Sequence, residues 1–468
     1  MTRSASPVGA YGRPRHYGIA APGPNRRAGS GSRTIAVLAF AALLAATIAL
    51  NSFRIGGVPI RSIVTVGVLV LAIHFYFDVA KDVFEKNLLL LALAAGLAVL
   101  GVFVSLVNGA PPFAIFRSVT EVHLQAAATI MVAAILARVA GARASALAIV
   151  AVIGVSACVA VAQMMDIHSA WALRRALGPL PTEAIEGLNL LERRPVGLSF
   201  SPIQLSTHLC LAFAAFVAVR SKLRGPTDGA DPLVIPALLA LIAAAIVCAT
   251  RSPILGALVF MAAYAVQRRT TWLLLFLVLA ALALYFVWPL LMGLVETTAP
   301  RVVRTDDNSS AARWTLVYYG LRLFGDNPLG YGLTFAPMTL WQSYWPDLYM
   351  MQAPRGTREN DLHNYFINML NIYGIGILLL SPLVARLLWH SKASLIFFVP
   401  YLVHIIFHNS GPFYNDNVIW FVIAAIAAAN HGREAHSYST RELIGSRNSR
   451  PRQMRPAYGR TTAQTVAD

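Results

Sequence analysis

The sequence predicts an all-α, polytopic membrane protein of about twelve spans, with a large outer loop between the ninth and tenth. Three observations carry this reading. Of 468 residues 57% are hydrophobic and only 13% charged, and the mean hydropathy is +0.60, whereas soluble domains run nearer a quarter charged. Apolar runs of roughly 17 to 25 residues recur from residue 34 to residue 430, each long enough to cross a hydrocarbon core of about 30 Å. The 38 Lys and Arg exceed the 21 Asp and Glu by a formal +17, and the basic residues flank the apolar runs. That placement argues for a membrane topology and against nucleic acid as a partner. The same composition excludes a soluble enzyme.

In chain order, residues 1–33 carry Arg3, Arg13, Arg15, Arg26, Arg27 and Arg33 among Pro, Gly and Ser, and read as a disordered basic tail. The membrane domain, 34–430, is expected to place spans at about 34–53, 58–77, 88–107, 121–138, 145–164, 203–220, 233–250, 252–267, 271–291, 363–385, 393–409 and 413–430. The first run lacks a small-residue cleavage site after it and is read as a retained helix, not a signal peptide. The even-numbered gaps are short and basic: Lys81 and Lys86, Arg138 and Arg143, Arg220, Lys222 and Arg224, Arg268 and Arg269, Arg386 and Lys392. The positive-inside rule makes them cytoplasmic, together with both tails and therefore with the arginine-rich segment 431–468, also read as disordered. Membrane lipids are the expected partner of these basic flanks.

Two odd-numbered gaps, about 165–202 and 292–362, are long and must face outward. They hold Arg174, Arg175, Arg193 and Arg194, then Arg301, Arg304, Arg313, Arg322, Arg355 and Arg358. Long loops translocate despite such charge, and outward arginines want an anionic partner. Loops of this length in a compact domain are usually functional or disordered, and their aromatic and helix-compatible content favours function. Cys158, Cys210 and Cys248 sit inside apolar runs and read as packing rather than a disulfide or thiolate metal site. No phosphate-binding Gly loop, CxxC pair, HExxH or internal repeat occurs, so soluble-enzyme motifs identify nothing.

Candidate chemistry concentrates on the outer side. Asp306-Asp307-Asn308-Ser309-Ser310 is a helix N-cap cluster, and the helix it opens carries Arg313-Trp314 and stops near Gly325. Arg313 either forks a phosphate or carboxylate, aided by the helix N-terminus, or pairs with Asp306 or Asp307. Trp341, Tyr344, Trp345 and Tyr349 suit interfacial anchoring, the favoured role, or sugar stacking. His363 stands where the loop meets a span, either as a proton acceptor near pH 7 or as a loop-end hydrogen-bonding residue. Arg251, in the short outer turn between spans seven and eight, is costly at that depth without a partner or aqueous cavity, which makes it a functional candidate. Glu121 and His123, at the outer end of span four, are placed in a second tier beside the same cavity.

Several segments together resemble the O-antigen ligase and Wzy-type polysaccharide polymerase family. Thr250-Arg251-Ser252-Pro253 is similar to that family's Ser-Arg-Gly-Pro-like turn. Arg313-Trp314 and Pro328-Leu329-Gly330-Tyr331-Gly332 match its loop Arg-Trp and Pro-Leu-Gly-x-Gly turn, and His363-Asn364 with Gly374-Ile375-Gly376 match its His-Asn and later Gly-x-Gly. Arg194-Pro195-Val196-Gly197-Leu198-Ser199-Phe200-Ser201-Pro202 looks like the family's Arg-x-x-Gly-x-Phe-x-x-Pro-Asn segment, with Phe200 one place late and Ile203 in place of the Asn. The resemblance covers roughly residues 34 to 430. It implies a GT-C-like membrane glycosyltransferase of the bacterial inner (plasma) membrane. The implied reaction is metal-independent and cofactor-free, moving a glycan from an undecaprenyl-pyrophosphate carrier to a hydroxyl of a glycan or lipid A core at the periplasmic face. His363 would be the base, and Arg251 and Arg313 the pyrophosphate clamp. Arg194, Asn364, Glu121, His123, Trp341 and Trp345 are the expected substrate-binding residues.

The alternative is a transporter of an anionic solute, which calls for ionisable residues at mid-span. The spans offer His74, His208, and His404 with His408, four apart on one helical face near Asp416. A metal or proton path there lacks a third ligand, so packing or hydrogen bonding is the favoured role. Ligase and polymerase share one donor chemistry and differ in the acceptor, which the sequence leaves open.

Overall fold

A computed structural model describes residues 30–179, 194–224, 231–268 and 308–430. Both expected tails up to residue 29 and from 431, the ninth span at 271–291, and Arg193, Arg301, Arg304, Asp306 and Asp307 lie outside the described residues. Apart from one hairpin, Arg54–Ile55 (β1) against Val58–Pro59 (β2), the regular structure among the described residues is helical. Gly56 and Gly57 supply the positive φ angles, 57° and 83°, of that two-residue turn.

In order, the helices are α1 (Ser30–Ala49), α2 (Ile60–Phe75), α3 (Phe77–Val107) and α4 (Pro112–Ser118), which runs through a π turn at Val119–Leu124 into α5 (Gln125–Ala140). Then come α6 (Ala142–Met164), α7 (His168–Ala176), α8 (Pro202–Arg224), α9 (Val234–Val247) and α10 (Ser252–Arg268). The large loop contains α11 (Asn308–Asp326), α12 (Trp341–Leu348) and α13 (Gly356–Glu359). The described chain finishes with α14 (Tyr365–Tyr373), α15 (Ser381–Leu395), α16 (Val399–Ile406) and α17 (Val418–Asn430). Among the described residues, six helical runs are long and apolar enough to cross a bilayer, and four shorter apolar helices accompany them. These lengths and compositions are those of a membrane protein.

Lipid offers no hydrophobic drive for helices to associate, so close packing of small residues has to hold them. Ala-rich faces of α1, α5, α6, α8 and α17 interlock around Phe40 and Phe421, whose rings meet edge to face at 5.2 Å. Gly256 of α10 lies against the backbone of Pro400 in α16, where an added Cβ would stand 2.7 Å from the Pro400 Cα. That approach brings α16 near enough to α10 for their polar ends to share a site.

The run Tyr365–Ile406 departs from expectation. The sequence places a cytoplasmic gap at about 386–392, yet helical backbone continues through it. A straight helix of 42 residues would reach about 63 Å at 1.5 Å per residue. Its two ends nevertheless meet, because the Tyr365 hydroxyl donates to the Pro412 carbonyl at 2.7 Å and the His363 and His408 rings lie 6.3 Å apart. The run therefore folds back on itself. No Gly or Pro stands between Leu383 and Val399 to break the helix, and 3-10 turns at Gly374–Leu380 and Ile396–Phe398 take part of the bend. Gly325, expected as a stop, falls inside the last turn of α11, which ends one residue later.

Polar contacts sort the bundle into two ends. At one, Arg33 donates to the Ala140 carbonyl, Lys86 and Arg138 share Asp82, Arg220 and Arg224 share Asp231, and Lys222 donates to Asn430. At the other, Asn51 donates to Gln204 at 3.1 Å and Arg54 forks Glu121 at 2.7 and 2.8 Å. The candidate site is at this second end.

Candidate functional site

Two connections between helices build the floor. Residues 248–251 turn from α9 to α10 with Ala249 at φ 50°, which leaves Arg251 half-buried at the turn. Thr250 is tied to Ser206 of α8, hydroxyl to hydroxyl, at 2.6 Å. Arg194, 8% exposed, extends Nη2 to the Ala249 carbonyl at 3.3 Å and so reaches the same turn from the preceding loop. The backbone two and three residues on is fixed by Gln163, whose Oε1 accepts from the amides of Val196 and Gly197, both at 2.9 Å. Gly197, at φ 59°, lies so close to α6 that a Cβ would stand 2.3 Å from the Ser156 carbonyl oxygen. The glycine of the Arg-Pro-Val-Gly segment thus docks it, and the arginine carries charge to the floor.

The second group is a hydrogen-bonded chain joining α10 and α16. Ser252 Oγ is 2.9 Å from His404 Nδ1 and 3.1 Å from His408 Nε2, and His404 Nε2 is 3.2 Å from the Ile203 carbonyl. A carbonyl only accepts, so His404 Nε2 carries its hydrogen, and with neutral rings the rest of the chain follows. Ser252 donates to His404 Nδ1, His408 donates from Nε2 to Ser252, and the lone pair of His408 is left on Nδ1. That nitrogen is buried with no hydrogen-bond partner, and Arg313, His363 and Arg194 stand close enough to act on the ring electrostatically.

The large loop supplies the roof. Its helix α11 sits on α14 because Gly320 leaves room for Ile367, whose Cγ2 would be 2.5 Å from a Cβ there, and because Asn371 Nδ2 donates to the Gly320 carbonyl at 2.9 Å. The loop turn Pro328-Leu329-Gly330-Tyr331-Gly332 lies along residues 371–375. Tyr331 and Gly332 donate to the carbonyls of Asn371 and Ile372 at 2.7 and 2.9 Å, and Ile375 donates back to Pro328 at 2.8 Å. Asn364 caps α14, its side chain accepting from the Ile367 amide at 3.0 Å. One residue earlier, His363 donates from Nδ1 to the Asp361 carbonyl at 2.8 Å, which leaves the lone pair of a neutral ring on Nε2. Burial pushes the Asp361 carboxyl above its ordinary value, and His363 draws it the other way.

The structure therefore gathers Arg194, Arg313, His363 and the Arg251 turn at one place. Of the remaining expected residues, Asn364 follows His363 directly in the chain, and Glu121, His123, Trp341 and Trp345 are held by other partners. Glu121 is held by Arg54 and by Arg117, the latter at 2.8 Å. His123 is buried against the Tyr373 hydroxyl at 3.1 Å. Trp341 and Trp345 lie on α12 with Arg358 over the Trp341 ring at 5.6 Å. Ser252 was missed by sequence reasoning, since its partners lie 152 and 156 residues away; the four-residue spacing of the two histidines was the one available signal. Among the described residues, no group of three His, Cys, Asp or Glu side chains is arranged to hold a metal ion.

No curated protein matches the chain. Residues 236–381 match the family Wzy_C, described as O-antigen ligase. The stretch contains Arg251, Arg313, His363 and both glycine turns, and the family supports glycan transfer of the ligase or polymerase type. This matched family is the one that the motifs resemble.

Proposed function

We propose that the protein transfers a glycan from an undecaprenyl-pyrophosphate carrier to a sugar hydroxyl, on a growing glycan or a lipid A core, at the periplasmic face of the bacterial inner membrane. The observation that carries this reading is the state of His363. Its Nδ1 hydrogen is committed to a backbone carbonyl, so Nε2 is the basic nitrogen, and the ring lies 6.3 Å from that of His408, on which Arg313 and Arg194 also act electrostatically. In the reaction the acceptor hydroxyl oxygen bonds to the anomeric carbon as its proton passes to His363 Nε2. The bond from that carbon to the pyrophosphate oxygen breaks, and its electron pair leaves with the carrier. Direct attack inverts the anomeric centre. Charge grows on the departing pyrophosphate, and the guanidinium groups of Arg251, Arg313 and Arg194 are the donors suited to stabilise it. No metal or cofactor is assigned a step.

The test is release of undecaprenyl pyrophosphate from a lipid-linked oligosaccharide by protein in nanodiscs, without added metal and with several acceptors. His363→Ala is expected to slow release by about 10²–10⁴-fold, the usual contribution of a general base, and Arg313→Ala to abolish most of it. A longer lipid-linked product identifies a polymerase and a lipid A conjugate a ligase. Folded wild type that releases nothing with any acceptor, or variants that match wild type, would remove the assignment and return attention to solute transport.

A further inference from the structure

The loop helices form a half-open cavity of about 340 Å³ lined by Trp341, Gln342, Trp345, Arg355 and Arg358. The two indoles, one helical turn apart on α12, meet at 5.6 Å and 89°, so their faces form two walls at right angles. The Arg358 guanidinium lies 5.6 Å from the centre of the Trp341 ring. Both fixed charges of the lining are positive, and it contains no carboxylate. Neither Arg355 nor Arg358 is ion-paired among the described residues. Carboxylates are not lacking nearby: Asp326 and Asp347 pair with Arg322 at 3.6 and 3.3 Å. Two guanidinium groups are thus left facing a concave, aromatic-walled space.

Its position links it to the candidate site. Helix α13, which carries Arg358, is seated on α11 through Gly356, where an added Cβ would stand 3.1 Å from the Ala312 Cβ. Ala312 precedes Arg313. The Thr315 hydroxyl, two residues beyond Arg313, donates to the Gln352 carbonyl in the segment leading to α13. The cavity therefore rests against the turn of α11 that presents Arg313.

We propose that this cavity is a subsite for a negatively charged sugar of the acceptor glycan, a residue bearing a carboxylate or phosphate. The inference rests on the transfer reading above and deepens it. An indole face takes the apolar face of a pyranose ring, and a guanidinium fork matches the two oxygens of a carboxylate or phosphate better than a point charge does. Tryptophan and arginine also suit an anionic lipid headgroup at a membrane interface. A sugar is favoured because the cavity is concave, is built from loop helices and is seated on the helix that carries Arg313.

Binding measured without donor tests the subsite apart from turnover. Protein in phosphatidylcholine nanodiscs is titrated calorimetrically with tetragalacturonate and with maltotetraose. Wild type is expected to prefer the acidic oligosaccharide by about tenfold, in keeping with charge-assisted bidentate contacts. Arg355→Gln/Arg358→Gln should lose that preference. Arg358→Lys should keep part of it, since charge remains while the fork is lost, and this graded response separates recognition from misfolding. Equal binding of both probes by wild type, or an undiminished preference in the double variant, overturns the proposal. Loss of the preference when the nanodiscs contain phosphatidylglycerol also overturns it and identifies a headgroup site. Wild type that prefers tetragalacturonate yet releases no carrier upholds the subsite and counts against the transfer reading alone.

Discussion

At the scale of single residues, the Ser252 hydroxyl holds the candidate site together. It satisfies two buried imidazole nitrogens at once, and it adjoins Arg251. Ser252→Ala would leave an acceptor on His404 and a donor on His408 buried and unpaired, each costing about 1–3 kcal/mol. Ser252→Thr retains the hydroxyl. The melting temperature in nanodiscs is therefore expected to fall for the alanine variant and to be largely kept by the threonine variant, with carrier release following the same order. Equal melting temperatures for wild type and Ser252→Ala would show that the chain of hydrogen bonds does not stabilise the fold. What the sequence made legible here was local. The helix of Arg313 was readable from Asn308 and its neighbours; His404 and His408 were read as one face of a helix, whereas α16 ends at Ile406 and His408 stands in the turn beyond it. The bonds from these two rings to Ser252 were not legible, because they depend on a backbone approach at Gly256 and Pro400 that no spacing rule encodes. Asn364, read beside His363 as a binding residue, also serves as the cap of α14.

At the scale of elements, the glycine turns position the roof over the floor. The motifs were legible as turns, yet their shared purpose was not, since Gly330 and Gly374 stand 44 residues apart and meet only in the fold. Gly374 takes φ 61°, and a Cβ there would lie 2.1 Å from the Leu329 carbonyl carbon, which is backbone and cannot move aside as a side chain would. Gly374→Ala is thus expected to undock the loop turn, lowering stability and carrier release together. Gly325 lies in helical backbone, and a Cβ added to it would meet no neighbour within 4 Å. Gly325→Ala should be neutral or stabilising by up to about 1 kcal/mol, the propensity difference between the two residues. Thermal unfolding of the pair checks this: if both substitutions act alike, close approach at Gly374 is not what holds the loop. The fold-back in Tyr365–Ile406 belongs to the same scale. Arg386 and Lys392 suggested a gap between spans, but with no Gly or Pro between them the backbone stays helical through Ser381–Leu395.

At the scale of the whole molecule, orientation follows from where the charges gather. Arg138, Arg143, Arg220, Lys222 and Arg224 belong to the end where Arg33 contacts Ala140 and Lys222 contacts Asn430. The first described helix therefore starts, and the last one finishes, at the basic end, opposite the site. Each basic residue near an anionic cytoplasmic leaflet is worth roughly 1 kcal/mol, so a cluster of this size should fix that end inside and the arginine-rich site outside. Arg194 and Arg313 do not weigh against this, because they lie in long loops that translocate regardless of charge, which leaves Arg251 as the one site arginine in a short turn. Labelling with a membrane-impermeant maleimide tests the orientation in spheroplasts, with wild type as the control for the native cysteines. Met350, 78% exposed just beyond α12, should react from outside as Met350→Cys. Lys222→Cys should react only after permeabilisation. The opposite pattern would place the candidate site in the cytoplasm, where a carrier-linked glycan presented at the periplasmic face could not reach it, and the proposed transfer would fail on topology before any residue was tested.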